Sequence, residues 1–265
     1  MNKIKVGVIG ACGKMGREIC KNILKDPELQ LTAAFDVTNN GNDIGTLVGL
    51  AETGVKIETN LVNLLENKEI DVMVDFTNAQ AVINNIPKVI EKGINVVIGT
   101  TGLTKMELDY LDKLAKEENV GLFVAPNFAI GAILMMRFAR EAAKYFPHVE
   151  IIELHHDQKL DAPSGTAIKT LEEIAKVRQE FRQGHEQEYE KIAGARGGDF
   201  QGMRVHSIRL PGLIAHQEVI LGGIGQTLSI KHDSLSRECF MPGIMLAIKK
   251  VISWKGLVSG LENIL

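Results

Sequence analysis

Through roughly the first 125 residues, short β-branched runs alternate with longer stretches of helical spacing. The runs Ile4–Ile9, Leu31–Phe35, Asp71–Asp75, Asn95–Ile98 and Gly121–Val124 predict strands. Helices are predicted near Lys14–Lys25, Ala79–Lys92 and Lys105–Glu117. Strands alternating with helices imply a parallel sheet with helices on both faces. The segments VGVI, DVMVDF and NVVIG are nearly continuous apolar runs, as strands covered on both sides require.

The pattern changes after Phe128. A helix is expected over Gly131–Phe146, with Ile133, Leu134, Phe138, Ala142, Tyr145 and Phe146 on its apolar side. A strand, Val149–His156, runs into the loop DQKLDAP, and a helix starts near Ser164. Arg178–Gly198 is polar and glycine-rich and reads as mostly exposed loop. Three successive strand candidates, Met203–Leu210, Ile214–Leu221 and Thr227–His232, are punctuated by glycines and Pro211, which predicts an antiparallel sheet. Met241, Ile244, Met245, Ile248 and Ile252 mark one face of a closing helix near Arg237–Ser253. The fold class expected is α/β: a parallel-sheet domain with helices on its faces, followed by an α+β domain with a mostly antiparallel sheet.

Composition narrows the function. With 30 Lys plus Arg against 33 Asp plus Glu, the net charge is −3, which argues against a nucleic-acid partner held by bulk charge. No run of 18 apolar residues spans a membrane, and the apolar N-terminus is broken by glycines. The expected compartment is the cytoplasm. Cys12, Cys20 and Cys239 have neither disulfide nor zinc spacing and read as small packing residues, and no metal is expected.

Gly10-Ala11-Cys12-Gly13-Lys14-Met15-Gly16 joins the first strand to the first helix with GxxGxxG spacing. Glycines let the backbone approach a pyrophosphate, and the helix N-terminus offers amides and a partial positive charge to it. Asp36, 20 residues past Gly16, stands where a carboxylate can accept from an adenosine ribose. Alone, such a motif also serves as a plain tight turn. Asp36 is followed by Val37 rather than an arginine, so NADH is expected to serve at least as well as NADPH. Gly99-Thr100-Thr101-Gly102 and Ala125-Pro126-Asn127-Phe128 follow further strands, at the sheet end where ligands bind, or are ordinary capped turns.

The densest polar cluster is Glu153–Ala167, ELHHDQKLDAPSGTA. Ser164-Gly165-Thr166 at a helix start is an anion site, Lys159 adds a cation, and a histidine can give a proton near neutral pH. His155 and His156, adjacent on a strand, would face opposite ways. A small carboxylate-bearing substrate with a proton donor beside it fits this cluster. Consecutive ligands rarely converge on a metal, and PSGTA is not a nucleophile elbow. His148 and His185 read as surface residues, while His206, His216 and His232 read as structural.

Together these residues resemble the 4-hydroxy-tetrahydrodipicolinate reductase family, once called dihydrodipicolinate reductase, of lysine and diaminopimelate biosynthesis. The resemblance runs through VGVIGACGKMGREI, VDFT, VIGTTG, APNFAIGA, ELHHDQKLDAPSGTA, GMRVHSIRLPGLIAHQEVILGGIGQTLSIKHDS and FMPG. It implies reduction of a cyclic dicarboxylate by NAD(P)H after loss of water. His155 is then the proton donor, and Lys159 the second catalytic residue. His156, Ser164, Gly165 and Thr166 act on the substrate. Gly10–Gly16, Asp36, Gly99–Thr101 and Ala125–Phe128 act on the cofactor. It further implies a Rossmann-type domain, 1–128 plus 238–265, a substrate and oligomerisation domain, 129–237, a homotetramer, and hinges near Phe128 and Arg237. Another Rossmann oxidoreductase and a non-catalytic dinucleotide sensor are the alternatives. A semialdehyde dehydrogenase would need a cysteine nucleophile, for which none is well placed, and a sensor has no need of HHxxK.

Overall fold

The computed structural model describes residues 2–265 and divides into two units, Met1–Ala129 with Arg237–Leu265, and Ile130–Ser236. The first unit begins β1 (Ile4–Ile9), α1 (Lys14–Lys25), β2 (Leu29–Phe35), α2 (Ile44–Leu47), β3 (Ile57–Glu58), α3 (Leu61–Asn67) and β4 (Val72–Asp75). It continues through α4 (Ala79–Ile90), β5 (Asn95–Ile98), α5 (Lys105–Glu117) and β6 (Gly121–Val124). The second unit holds α6 (Ile130–Ala142), β7 (His148–His155), α7 (Gly165–Ala175), β8 (Gly198–Phe200), β9 (Met203–Arg209), β10 (Ala215–Gly223) and β11 (Gln226–Ser234). The chain then returns to the first unit as a 3₁₀ turn, Arg237–Phe240, followed by α8 (Met241–Val251) and β12 (Gly256–Ser259).

In the first unit seven strands form a parallel sheet in the order β12-β6-β5-β4-β1-β2-β3. The order reverses beside β1, so the loops after β1 and β4 open at the switch point where such sheets bind ligands. Strands β4 and β6 are buried at every position, as their apolar runs require. Helix α1 buries Gly16, Ile19, Cys20 and Ile23, the i, i+3, i+4, i+7 stripe of a helix lying on a sheet. Burial pushes the Cys20 thiol up, in keeping with a packing residue. A reciprocal cap starts α5: Thr104 Oγ1 accepts from the Glu107 amide, and the Glu107 carboxylate accepts from the Thr104 amide at 2.6 Å.

The second unit carries a five-stranded mixed sheet ordered β11-β10-β7-β9-β8. Three of its pairings are antiparallel and one, β7 with β9, is parallel. The three late strands are therefore not one meander: β7 lies between β9 and β10, because the earlier strand supplies the apolar row that both need. On α6 the buried residues are Ala132, Ile133, Met135, Met136 and Ala139, while Phe138 is 53% and Tyr145 76% exposed. The buried stripe of that helix is thus made of its smaller and more flexible side chains, not its aromatic ones. The polar 178–198 segment is pinned at three points, the last being Arg196, whose guanidinium donates to Glu150 on β7 at 2.7 Å. Arg178 donates to the carbonyls of Pro147, Gln201 and Phe181, and the Gln183 amide exchanges two bonds of 2.9 Å with the Val149 backbone. No helix among the described residues is long and apolar enough to cross a membrane.

Candidate active site

The glycine loop of the first unit is held by its own backbone. Gly10 has φ of +80°, and a Cβ on Gly16 would lie 2.0 Å from the Gly10 carbonyl oxygen. Helix α1 starts at Gly13 with no side-chain cap and no acidic residue in its first turn, and its first bond runs from the Arg17 amide to the Gly13 carbonyl. The amides of Lys14, Met15 and Gly16 thus lie in the turn that has no intrahelical partners, the arrangement that receives phosphate. Gly13 and Lys14 are exposed and Ala11 is buried. Asp36 directly follows β2. Its Oδ2 accepts from the Cys12 amide at 2.9 Å, and its Oδ1 accepts from the Thr38 amide and hydroxyl. The carboxylate therefore lies against the loop, and Val37 beside it is 82% exposed.

The loops after β4, β5 and β6 knit together at the same end of the sheet. The Thr100 hydroxyl donates to Asp75 Oδ1 at 2.8 Å and accepts from the Thr77 amide at 2.8 Å. Gly99 lies against the Phe76 ring, which a Cβ would meet at 2.0 Å. Phe128 packs on Phe76 and Phe123 with centroids 5.5 and 5.8 Å apart. Of the predicted cofactor residues here, Thr100, Ala125 and Phe128 are buried and shape the loop walls, whereas Thr101 and Pro126 are exposed. Asn127 caps its own turn, accepting from the Ala129 amide.

The second unit brings the predicted substrate residues onto β7, the following loop and α7. Strand β7 ends at His155, and His156 opens the turn, exposed. His155 Nδ1 lies 2.5 Å from Glu153 Oε2. Arg209 forks onto the same carboxylate, Nη1 at 3.0 Å from Oε2 and Nη2 at 2.7 Å from Oε1. The Ser164 amide adds a fourth contact at 3.2 Å. Burial alone would lift the Glu153 pKa, but hydrogen bonds from His155, Arg209 and Ser207 outweigh it and hold the carboxyl down at about 2. Neither Glu153 nor Arg209 was singled out from sequence. The available signal was an acidic residue on the buried face of a strand, two positions before His155.

Lys159 Nζ lies 2.7 Å from Asp161 Oδ1, and this pairing holds the Asp161 carboxyl below its usual range. Ser164 caps α7 by accepting from the Ala167 amide at 3.2 Å, so its hydroxyl is already engaged and its side chain is buried. The N-terminus of α7 is left to Gly165, exposed, and Thr166, half-buried. Of the remaining histidines, His148, His206, His216 and His232 lie in strands, whereas His185 lies in the loop before β8. His206 pairs with Glu150, His216 pairs with Asp233, and the His232 ring abuts Gly131. No group of three or more His, Cys, Asp or Glu among the described residues is placed to hold a metal ion.

Two family models match, end to end. "Dihydrodipicolinate reductase, N-terminus" covers residues 4–128 and "Dihydrodipicolinate reductase, C-terminus" covers 131–265. The chain belongs to the dihydrodipicolinate reductase family. Among its relatives, the 4-hydroxy-tetrahydrodipicolinate reductase of Desulfitobacterium hafniense (strain DSM 10664 / DCB-2) is 58% identical over 100% of both chains. The enzyme of the same name from Syntrophomonas wolfei is 56% identical over 99% of each. A solved member, the dipicolinate-bound dihydrodipicolinate reductase from Paenisporosarcina sp. TG-14, superposes with a TM-score of 0.88 at 45% identity, covering 99% of this chain and 100% of that one. The family's dehydrogenase-type fold implies a nicotinamide cofactor.

Proposed function

We propose that the chain reduces 4-hydroxy-tetrahydrodipicolinate to tetrahydrodipicolinate with NADH or NADPH, in cytoplasmic diaminopimelate and lysine synthesis. The observation that carries this reading is the clustering on one unit of His155, Lys159 and the open N-terminus of α7. Together they make a proton donor beside two sites for carboxylate. Bound NAD(P)H supplies a hydride to the ring after water has left it. His155 gives a proton to the neighbouring ring carbon, so that two electrons and two hydrogens add across one double bond. Lys159 exchanges its Asp161 partner for a substrate carboxylate, and the amides of Gly165 and Thr166 take a carboxylate at the helix start. Ser164 supports this by fixing the α7 cap, and His156 donates to the substrate from the turn.

For the cofactor, the first turn of α1 with Gly10, Gly13 and Gly16 takes the pyrophosphate, with Lys14 beside it. Asp36 accepts from the ribose. Gly99, Thr100 and Thr101 with Ala125–Phe128 line the nicotinamide end. A carboxylate at Asp36 repels a 2′-phosphate, and Val37 offers no compensating cation, so NADH serves at least as well as NADPH. A homotetramer fits the second unit's sheet. One face carries α7 through the Gln217–Thr170 bond, while the opposite face presents the half-buried Ile152, Leu154, Ile208 and Ile220.

The test is a coupled assay that makes the unstable substrate from aspartate semialdehyde and pyruvate and follows oxidation of each reduced nucleotide. Wild type is expected to oxidise both, with kcat/KM for NADH no lower than for NADPH. The His155→Ala variant should lose about 10²–10⁴ in kcat while binding NADH normally. Nucleotide binding without turnover would overturn the reading in favour of a sensor.

A further inference from the structure

Glu153 sits where the fold calls for an apolar side chain. Val149, Ile151, Glu153 and His155 share one face of β7, and Val149 and Ile151 are fully buried. Paired positions on β10 continue that face as Leu221, Val219 and Gln217, and on β9 as Val205, Ser207 and Arg209. The Glu153 side chain has no exposure at all. A carboxylate there would be expelled or neutralised unless it were paired and fully hydrogen-bonded. It is both: His155 and the Ser164 amide meet it from the predicted substrate cluster, and Arg209 donates to it from β9.

We propose that Glu153 and Arg209 form a positioning pair for His155. Glu153 holds the imidazole with its proton on Nδ1, leaving Nε2 to meet the substrate. Arg209 forks onto the same two carboxylate oxygens and fixes the group that orients the ring. The inference rests on His155 being the proton donor.

Geometry carries both halves. A nitrogen 2.5 Å from an ionised carboxylate must be the one that bears hydrogen, which fixes the tautomer and the ring plane together. The forked guanidinium on the same two oxygens keeps the carboxylate in place beside the ring. Arg209 Nη2 additionally donates to the Asp161 carbonyl at 2.8 Å, so one side chain anchors the loop bearing Lys159 as well.

Among the described residues, the charged groups tied to His155 by these contacts are Glu153 on its own strand and Arg209 on β9, and Arg209 in turn reaches the Asp161 carbonyl of the loop that holds the Lys159–Asp161 pair. Polar neutral neighbours on that face are Ser207, the Ser164 amide and Gln217, whose Nε2 is taken by Thr170. His216 and Asp233 pair on the opposite face of the sheet.

A mere staple and a positioning pair differ in how the pH profile responds. Glu153→Gln should cut kcat roughly 10–100-fold, leave the KM for NADH within about twofold, and move the alkaline fall of kcat/KM down by about one pH unit. Arg209→Met should move the same fall upward. Long-range ¹⁵N–¹H NMR of wild type, with the His155 signals identified by their loss in His155→Ala, should show the neutral ring protonated on Nδ1. That measurement stands even if a variant folds poorly. A His155→Ala enzyme that keeps the wild-type rate overturns the donor assignment and this inference with it. A His155→Ala enzyme that loses activity, together with unmoved pH limbs in both other variants or a proton on Nε2, overturns the positioning role alone.

Discussion

Two fully buried carboxylates stand near strand ends, one in each unit, and their surroundings treat them in opposite ways. Asp75 closes β4. Its Oδ1 accepts from the Thr77 amide at 3.1 Å and from the Thr77 and Thr100 hydroxyls at 2.8 Å, and its Oδ2 has no partner among the described residues. Glu153, near the end of β7, meets a guanidinium, an imidazole and an amide. Burial pushes Asp75 above its ordinary value because dipoles alone do not offset the lost hydration, whereas charged donors hold Glu153 at about 2. The same contrast runs through the two ligand regions. Glycines, amides and hydroxyls predominate in the loops of the first unit, where the carboxylates of Asp36 and Asp75 are met by neutral donors. Charged side chains build the cluster of the second, where the proposed function calls for a proton to move.

The contrast is sharpest in stability. Glu153→Gln strands Arg209 without its counter-charge and should cost about 3–5 kcal/mol, measured by denaturant unfolding. The Glu153 carboxyl titrates lower in the fold than its ordinary 4.5, so its contribution is complete above that value and fades as pH falls toward about 2. The deficit of the variant should therefore be largest near neutrality and shrink in acid. Thr100→Val comes next, at about 1–2 kcal/mol, because it removes the hydroxyl between Asp75 and Thr77 while keeping the shape. Asp75→Asn should cost under about 1 kcal/mol, since one oxygen still accepts and no cation is stranded. Its pH slope has the other sign. A raised carboxyl stabilises the fold below the ordinary 3.8 and loses that contribution as pH rises through the folded value, so Asp75→Asn should gain on wild type toward neutrality. Parallel slopes for the two carboxylate variants would break the comparison.

What could be read from the chain was whatever is encoded locally. Strands Ile4–Ile9, Asn95–Ile98 and Gly121–Val124 and helices Lys14–Lys25 and Lys105–Glu117 agree residue for residue: β-branched runs mark the strands, the glycine loop marks the start of α1, and the Thr104–Glu107 cap marks the start of α5. The α2, β3 and α3 elements went unread: they are short, and polar or glycine-containing segments separate them. Helix α2 is started by Asp43, which gathers amides from as far away as Gly54. Short β8 and β12 show no period of their own. Pairing was the larger gap, since β7 reaches its neighbours β9 and β10 only after the long 176–197 connection. Glycine spacing and the HHxxK run singled out both candidate regions, as these motifs are contiguous. Arg209 could not be seen that way, because it meets Glu153 across 56 residues of chain.

The smallest effect tests how the charged cluster admits its ligand. Lys159 is paired with Asp161 at 2.7 Å, while the Asp161 side chain is 61% exposed. Water screens a pair with so exposed a carboxylate, so separating it is easy, and under the proposed function a substrate carboxylate has only to compete with a partner largely in water. Asp161→Asn removes the competing charge but keeps the main-chain carbonyl that receives Arg209. The unfolding midpoint should be nearly unchanged, and the KM for the dicarboxylate should fall about two- to fivefold with kcat nearly constant. A rise in KM would mean that Asp161 orients the Lys159 ammonium for the substrate. The pair would then act as a built element like Glu153 with Arg209, and the second unit would hold two positioning pairs.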